Sequence, residues 1–214
     1  MKLSKRLQTI ANMIPNESRV IDVGCDHGLL SIFLAQEKKC ICLATDVNEK
    51  ALNNAVVNIS KYNVNNVETI LTDGINDIKI NDEDYIVIAG MGTTTIKHIL
   101  NSKKLSSHLI ISSNNQLFEL RNYITHLGYI IVKEEFVIDH QKKYVIIEFF
   151  KGKKKYSNLD LRYGPILKGN IDYLIYELEK LFKIKESAQF GNFIVRHNNQ
   201  KEINKVKKLI DKLK

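Results

Sequence analysis

The residues able to do chemistry sit where apolar runs stop. In residues 20–30, VIDVGCDHGLL, an apolar run closes on Asp22, and Gly24 and Gly28 bracket the polar pair Asp26-His27. Asp46 closes CICLATDV, Asp73-Gly74 closes VETILTDG, Gly90-Met91-Gly92 closes DYIVIAGMG, and Asn114 follows HLIISS. Glycines before a helix let backbone N–H groups approach a ligand. Carboxylates attract cations and accept hydrogen bonds from hydroxyls and amines. A dinucleotide fingerprint, G-x-G-x-x-G, would place glycine where this chain has Asp26, and a carboxylate there repels a diphosphate.

S-adenosyl-L-methionine (SAM) is a nucleoside ligand without phosphate, and it carries a sulfonium and an ammonium. Asp22 and Asp26 suit its amino-acid end, Asp22 directly or through water or loop backbone. Asp46 is placed to accept both ribose hydroxyls, which SAM and NAD share. Asp73 with Gly74 ends the third run, where an adenine amino group needs an acceptor. His27 is either a hydrogen-bonding partner of cofactor or substrate, or a polar surface residue. Gly90 and Gly92 leave room for a flat methyl acceptor beside the apolar wall of Met91. Asn114 either reads a base edge with its donor–acceptor pair or caps the following helix. The chain lacks N-P-P-Y, a signature of many amino-directed adenine methyltransferases. It also shows no metal-ligand cluster and no Ser/His/Asp relay.

Positioning these residues at one edge requires a parallel sheet. Apolar residues 3, 7, 10 and 14 predict a first helix stopped by Pro15-Asn16. Strands are then expected in VIDVG, CICLATDV, VETILTDG, DYIVIAGMG and HLIISSN, each apolar on both faces, with helices between them. QLFELRNYITHLGY reads as a helix closed by Gly128. IIVKEEFVID and KYVIIEFFK, joined through HQKK, read as an antiparallel pair. The expected fold class is α/β: a mostly parallel seven-stranded sheet with an antiparallel last strand, as methyltransferase sheets have. Such sheets bind ligands beyond the carboxyl ends of their strands. KGKKKYSN is expected to be a linker. Narrow apolar stripes at 171, 174, 178, 181 and 184 and at 203, 206, 210 and 213 predict a helical hairpin or coiled-coil appendage. The division expected is 1–155, catalytic, and 156–214, helical and basic.

Of 214 residues 44% are hydrophobic, enough for a buried core, so disorder is excluded. No apolar run spans a membrane and no signal peptide is present, so a cytoplasmic chain is expected. Cys25, Cys40 and Cys42 read as small buried hydrophobes in a reducing compartment. The net charge is +8, with 16 Lys+Arg against 7 Asp+Glu in 151–214 and 16 against 17 before it. The basic excess therefore lies in the last third, which points to a polyanion, nucleic acid first.

These residues resemble one family, the bacterial tRNA (adenine(22)-N(1))-methyltransferases (TrmK), which are class I SAM-dependent enzymes of Rossmann-like fold. The resemblance is carried by KLSKRLQTIANMIP, VIDVGCDHGLL, IVIAGMG, LIISSNN, LRNYITHLGYIIVKEE, KKYVIIEFF and RYGPILK. Thr93 departs from the glycine usual in the family and Ser113 from the proline. The C-terminal helices match in character only. The resemblance implies transfer of the SAM methyl to N1 of an adenine in the D-arm of tRNA. Asp26 is then expected beside the acceptor, Asn114 and Met91 as adenine-positioning residues, and Lys5, Arg6, Lys153, Lys154, Lys155 and Arg162 as RNA phosphate contacts. No obligate protein partner is implied and a monomer suffices. Three alternatives stay open: a methyltransferase of the same fold acting on a small molecule, an NAD-dependent oxidoreductase, and a non-catalytic RNA-binding module with a decayed pocket.

Overall fold

The computed structural model describes residues 1–101, 104–187 and 193–214. It divides into two compact units, Met1–Lys155 and Tyr156–Lys214.

The first unit is built on one seven-stranded sheet in the order β3-β2-β1-β4-β5-β7-β6. Its strands are β1 (Arg19–Val23), β2 (Ile41–Asp46), β3 (Val67–Leu71), β4 (Tyr85–Met91), β5 (His108–Ser113), β6 (Tyr129–Asp139) and β7 (Lys142–Lys151). The first five pair in parallel, and β7 runs antiparallel to both β5 and β6. The β6–β7 turn uses His140 and Gln141 at φ 45° and 64°, the left-handed pair a two-residue hairpin requires. The order reverses between β1 and β4, which opens the crevice where α/β sheets take ligands. One strand departs from the expectation of two apolar faces: β3 has a single neighbour, β2, so Glu68 and Leu71 remain exposed on the sheet edge.

Helices α1 (Lys5–Met13), α2 (Leu29–Lys38), α3 (Glu49–Lys61), α4 (Thr93–Asn101) and α5 (Leu117–His126) cover the sheet. The Ser4 hydroxyl caps α1 by accepting from the Leu7 N–H at 3.4 Å. At the other end, before Pro15, Lys38 Nζ donates to the carbonyls of Ala11 and Ile14, matching a cation to the negative end of the helix dipole. Ile10, Ala11 and Met13 of α1 join Val20, Leu30, Leu34, Cys40, Cys42, Val87, Ile110 and Ile146 in one apolar cluster, which fixes α1 against the sheet. The fully buried pair Arg121–Glu134, at 2.8 Å, ties α5 to β6.

The second unit begins with α6 (Asn158–Tyr163), started by a capping box in which Ser157 and Asp160 satisfy each other's backbone N–H groups. A 3₁₀ turn (Leu167–Gly169), α7 (Ile171–Ser187) and α8 (Phe193–Asp211) follow. Leu174 of α7 and Ile203, Val206 and Ile210 of α8 are buried, as the stripes predict, and Tyr173, outside the stripes, is buried too. The stripes fail at their ends: Ile184 is 47% exposed, and Leu213 lies past the end of α8 and is 40% exposed. The Tyr163 hydroxyl donates to Glu202 at 2.8 Å and Asn199 to the Leu181 carbonyl at 2.9 Å, which pins the helices in register.

Candidate cofactor and acceptor site

The carboxyl ends of β2, β1 and β4 border a cavity of about 500 Å³. Asp22, Gly24, Cys25, Asp26 and His27 line it from the first loop, Asp46, Asn48 and Ala51 from β2 and α3, Ala89, Gly90 and Met91 from β4, and Arg6 and Leu7 from α1.

The first loop is bare mainly because its own neighbours crowd it. A Cβ at Gly24 would lie 2.3 Å from Met91 Cε, and one at Gly28 would lie 3.0 Å from Ala55 Cβ; both glycines have positive φ. The loop's amides also turn inward. The Gly24 and Cys25 N–H groups donate to the Thr45 carbonyl at 2.8 and 2.9 Å, Gly28 N–H to the Cys25 carbonyl at 2.8 Å, and Asp26 N–H to Asp46 Oδ2 at 3.2 Å. Four donors that a diphosphate would need are thus engaged, and carboxylates face the cavity instead. This disfavours the oxidoreductase alternative on geometry as well as on charge.

Asp22 is 6% exposed, and its Oδ2 accepts from the Ser31 hydroxyl at 2.8 Å. Burial pushes its carboxyl up to about 6; the nearby Asp46 pushes the same way, while Ser31 and Arg6 oppose. A buried carboxylate held this way is stabilised by an incoming cation such as an ammonium. Asp46 Oδ1 accepts from Asn48 N–H at 2.9 Å, and Asn48, not Asp46, caps α3 through the Lys50 and Ala51 N–H groups. Asp46 is therefore held from two sides while bordering the cavity. Burial also pushes the Cys25 and Cys42 thiols far up, with Asp22 adding to both, so they stay protonated and serve as packing.

Asp26 takes a left-handed φ of 50°, and its side chain is 72% exposed, 3.7 Å from His27 Nε2. Gly90, at φ 92°, is the extra residue of a bulge: Ala89 pairs with Ser112 and Met91 with Ser113. Asn114 Nδ2 donates to the Gly90 carbonyl at 2.7 Å, so Asn114 stands at the cavity's β4 rim rather than in its lining. It does not cap α5; that position belongs to Gln116. Thr93 and Ser113, the two departures noted above, contact each other: their hydroxyls are 2.9 Å apart, and both donate to the Asn115 carbonyl. Asn115 Oδ1 accepts the Thr93 N–H at 3.0 Å, so the loops after β4 and β5 are stitched together.

Some expected residues lie elsewhere. Asp73 and Gly74 do not line the cavity. β3 ends at Leu71, and Asp73 sits 3.7 Å from His98 in a separate depression beside α4. Lys5 and Lys153 to Lys155 are exposed, and Arg162 lies 3.7 Å from Glu202 within the helical unit. Arg6, expected to hold phosphate, instead enters the cavity. Sequence reading missed Ser31 and the cavity-lining residues Asn48 and Ala51 beside Asp46. The one signal for Ser31 was a lone hydroxyl in the otherwise apolar start of α2. Among the described residues, no group of three or more His, Cys, Asp or Glu could hold a metal, and no helix is long and apolar enough to cross a membrane.

The residues present fit SAM: a buried carboxylate for the ammonium, a braced carboxylate for the ribose, an apolar wall in Met91, and four first-loop amides already engaged within the protein. Comparison with known proteins agrees. A family model described as a methyltransferase domain matches residues 3–147. The tRNA (adenine(22)-N(1))-methyltransferase of Bacillus subtilis is 29% identical over 175 residues, 78% of this chain and 74% of that protein. Its crystal structure superposes with a TM-score of 0.84 at 25% identity, covering 98% of this chain and 99% of that one. The structure of M. capricolum TrmK in complex with the cofactor product S-adenosyl-homocysteine (SAH) has a TM-score of 0.85 at 33% identity, covering 100% of both chains.

Proposed function

Because this chain belongs to the methyltransferase-domain family, we propose that it is a SAM-dependent tRNA methyltransferase that modifies N1 of adenine 22 in the D-arm. The observation that carries the cofactor is the first loop: the Gly24, Cys25, Asp26 and Gly28 amides are spent on the protein itself, and its carboxylates are offered to the cavity. The target rests on the likeness to the Bacillus subtilis and M. capricolum enzymes.

Bound SAM supplies an electrophilic sulfonium methyl group. Asp22 takes its ammonium, Asp46 its ribose hydroxyls, and Met91 packs beside it. The adenine N1 lone pair lies in the base plane and attacks without prior deprotonation. As the N1–C bond forms, the bond from the methyl carbon to sulfur breaks, its electron pair returns to sulfur and S-adenosyl-homocysteine leaves. The positive charge passes to the base, and the exposed Asp26 carboxylate stabilises it or takes a proton from N6. Asn114, anchored on the Gly90 carbonyl, orients the base at the rim. Alignment of the two reacting atoms supplies most of the acceleration.

The helical unit holds RNA. Besides Arg162, and the exposed Lys153 to Lys155 just before this unit, α8 carries Lys201, Lys205 and Lys208 at helical spacing, on the side opposite its buried Ile203, Val206 and Ile210. A lysine ridge of this kind contacts phosphates without reading bases, so recognition follows RNA shape. The target base must leave its stack to reach the cavity. The enzyme works as a monomer in the cytoplasm, where its substrate is.

Incubation with methyl-labelled SAM and unmodified tRNA, followed by mass-spectrometric mapping, tests the proposal. The expected product is 1-methyladenosine at position 22. Label at another nucleoside or none in tRNA refutes it, and label in a small molecule alone selects the other methyltransferase reading.

A further inference from the structure

Resting on the adenine-methylation reading, we propose that Asn115 is a specificity-determining residue whose side-chain NH2 group donates to N7 of the target adenine. Every other polar atom of Asn115 is already engaged. Its Oδ1 accepts the Thr93 N–H at 3.0 Å. Its backbone carbonyl accepts the Thr93 and Ser113 hydroxyls at 2.8 and 2.9 Å, and its backbone N–H donates to Ser113 Oγ at 3.4 Å. Thr93 and Ser113 are both buried, so Asn115 is held from inside the fold. A backbone N–H can pair only with the amide oxygen, and the amide is planar, so fixing Oδ1 also fixes where Nδ2 points. Among the described residues, no acceptor pairs with Nδ2.

The neighbouring Asn114 is locked the opposite way round. Its Nδ2 donates to the Gly90 carbonyl at 2.7 Å and its backbone N–H to the Met91 carbonyl at 3.0 Å, which leaves Oδ1 as an acceptor. Consecutive residues at the β4 rim thus offer one acceptor and one donor. Asn115 borders the room beside Gly92, where a Cβ would lie 3.7 Å from both its Nδ2 and its Oδ1. Gly92 in turn follows Met91 of the cavity lining.

An adenine whose N1 faces the sulfonium methyl turns N6–H and N7 to one side of the line of attack, a donor beside an acceptor. Asn114 Oδ1 matches the first and Asn115 Nδ2 the second. Guanine would set its O6 against Asn114 Oδ1, and pyrimidines have no N7. The pair therefore selects adenine by its outer edge and leaves N1 free to attack.

A tRNA ligated with adenosine or 7-deazaadenosine at position 22 isolates the contact, because the analogue keeps N1 and N6 and lacks the N7 acceptor. Single-turnover methylation at subsaturating tRNA gives a rate ratio, adenosine over 7-deazaadenosine, for each chain. For Asn115→Ala this ratio is expected to be about tenfold smaller than for the unaltered chain, since either deletion removes the same hydrogen bond. Asn115→Asp keeps the acceptor for the Thr93 N–H and turns the donor into a second acceptor, so its ratio should fall below that of Asn115→Ala. SAH affinity of both variants should stay within about twofold of the unaltered chain. An unchanged ratio in Asn115→Asp overturns the inference. So does equal loss of both tRNA rates together with SAH affinity, which would make Asn115 a brace alone. Failure of the unaltered chain to methylate the adenosine tRNA overturns the functional reading and this inference together.

Discussion

Two glycine-bearing loops meet at the cavity, and their glycines do different work. In the loop after β1, Gly24 and Gly28 both need positive φ, and a side chain at Gly28 would press on Ala55 while one at Gly24 would displace only the terminal methyl of Met91, so backbone strain is what both share. In the loop after β4, Gly90 needs its left-handed φ for the bulge, but a Cβ at Gly92 would meet only Asn115 at 3.7 Å, an ordinary contact. The first loop thus turns four of its amides inward and presents Asp22, Asp26 and His27 to the cavity. The second keeps open room toward the acceptor and is braced from behind by Thr93, Ser113 and Asn115. Glycine in a ligand loop is therefore evidence of crowding or of access, and only the surroundings tell which.

The largest effect should come from Gly24→Ala. Left-handed strain and displacement of Met91 are expected to cost about 2 kcal/mol of stability, with SAH binding weakened in parallel. Urea unfolding and calorimetry check both, and an unchanged midpoint would dissolve the contrast between the loops. Asp46→Ala should weaken SAH about tenfold or more while leaving tRNA affinity intact, because the residue serves ribose, the first loop and the Asn48 N–H, none of them an expected RNA contact. Unchanged SAH affinity would remove Asp46 from the site.

Asp22 yields a pH signature. Its carboxyl is raised to about 6 in the fold, against about 4 when unfolded. Its contribution to stability is fully present below about pH 4 and lost as pH rises through about 6, so the ligand-free fold loses about 3 kcal/mol from this group by pH 8. Ligand affinity runs the other way: the ammonium needs the ionised form, so SAH binding should weaken as pH falls through about 6. Asp22→Asn should flatten both profiles, and a wild-type slope in the variant would assign the effect to another group.

Asp26→Ala should lower turnover about tenfold with SAH affinity nearly kept, since the side chain is exposed and only its backbone N–H braces Asp46. Normal single-turnover rates would separate Asp26 from the chemistry. The smallest effect belongs to Gly92→Ala, with stability within about 0.5 kcal/mol of the parent. A loss comparable to that of Gly24→Ala would mean that the second loop is as crowded as the first.

Much of this site was legible because its residues close apolar runs. Asp22, Asp46 and Gly90 each end a strand, and strands paired in parallel bring their ends to one edge, so counting along the chain found them. Asp73 shows where counting stops. β3 ends at Leu71; the Thr72 N–H then donates to the Asp46 carbonyl and its hydroxyl to Asp77, and Asp73 lies by His98, away from the cavity. Asn114 was legible as polar and near, but the choice between capping a helix and facing the acceptor was made by its bond to Gly90.

Alternation of apolar strands with amphipathic helices determined by itself the seven-stranded sheet, its antiparallel closing strand and the acid-lined edge, because those patterns are local and each element must bury its apolar face. The chain's charge ledger likewise marked the last third as basic. Tertiary structure alone decided that Arg6 enters the cavity, that Ser31 braces Asp22, and that Thr93 meets Ser113. Those contacts join residues on separate elements, and only the packing of α1, α2 and the two crest loops against one sheet sets their distances.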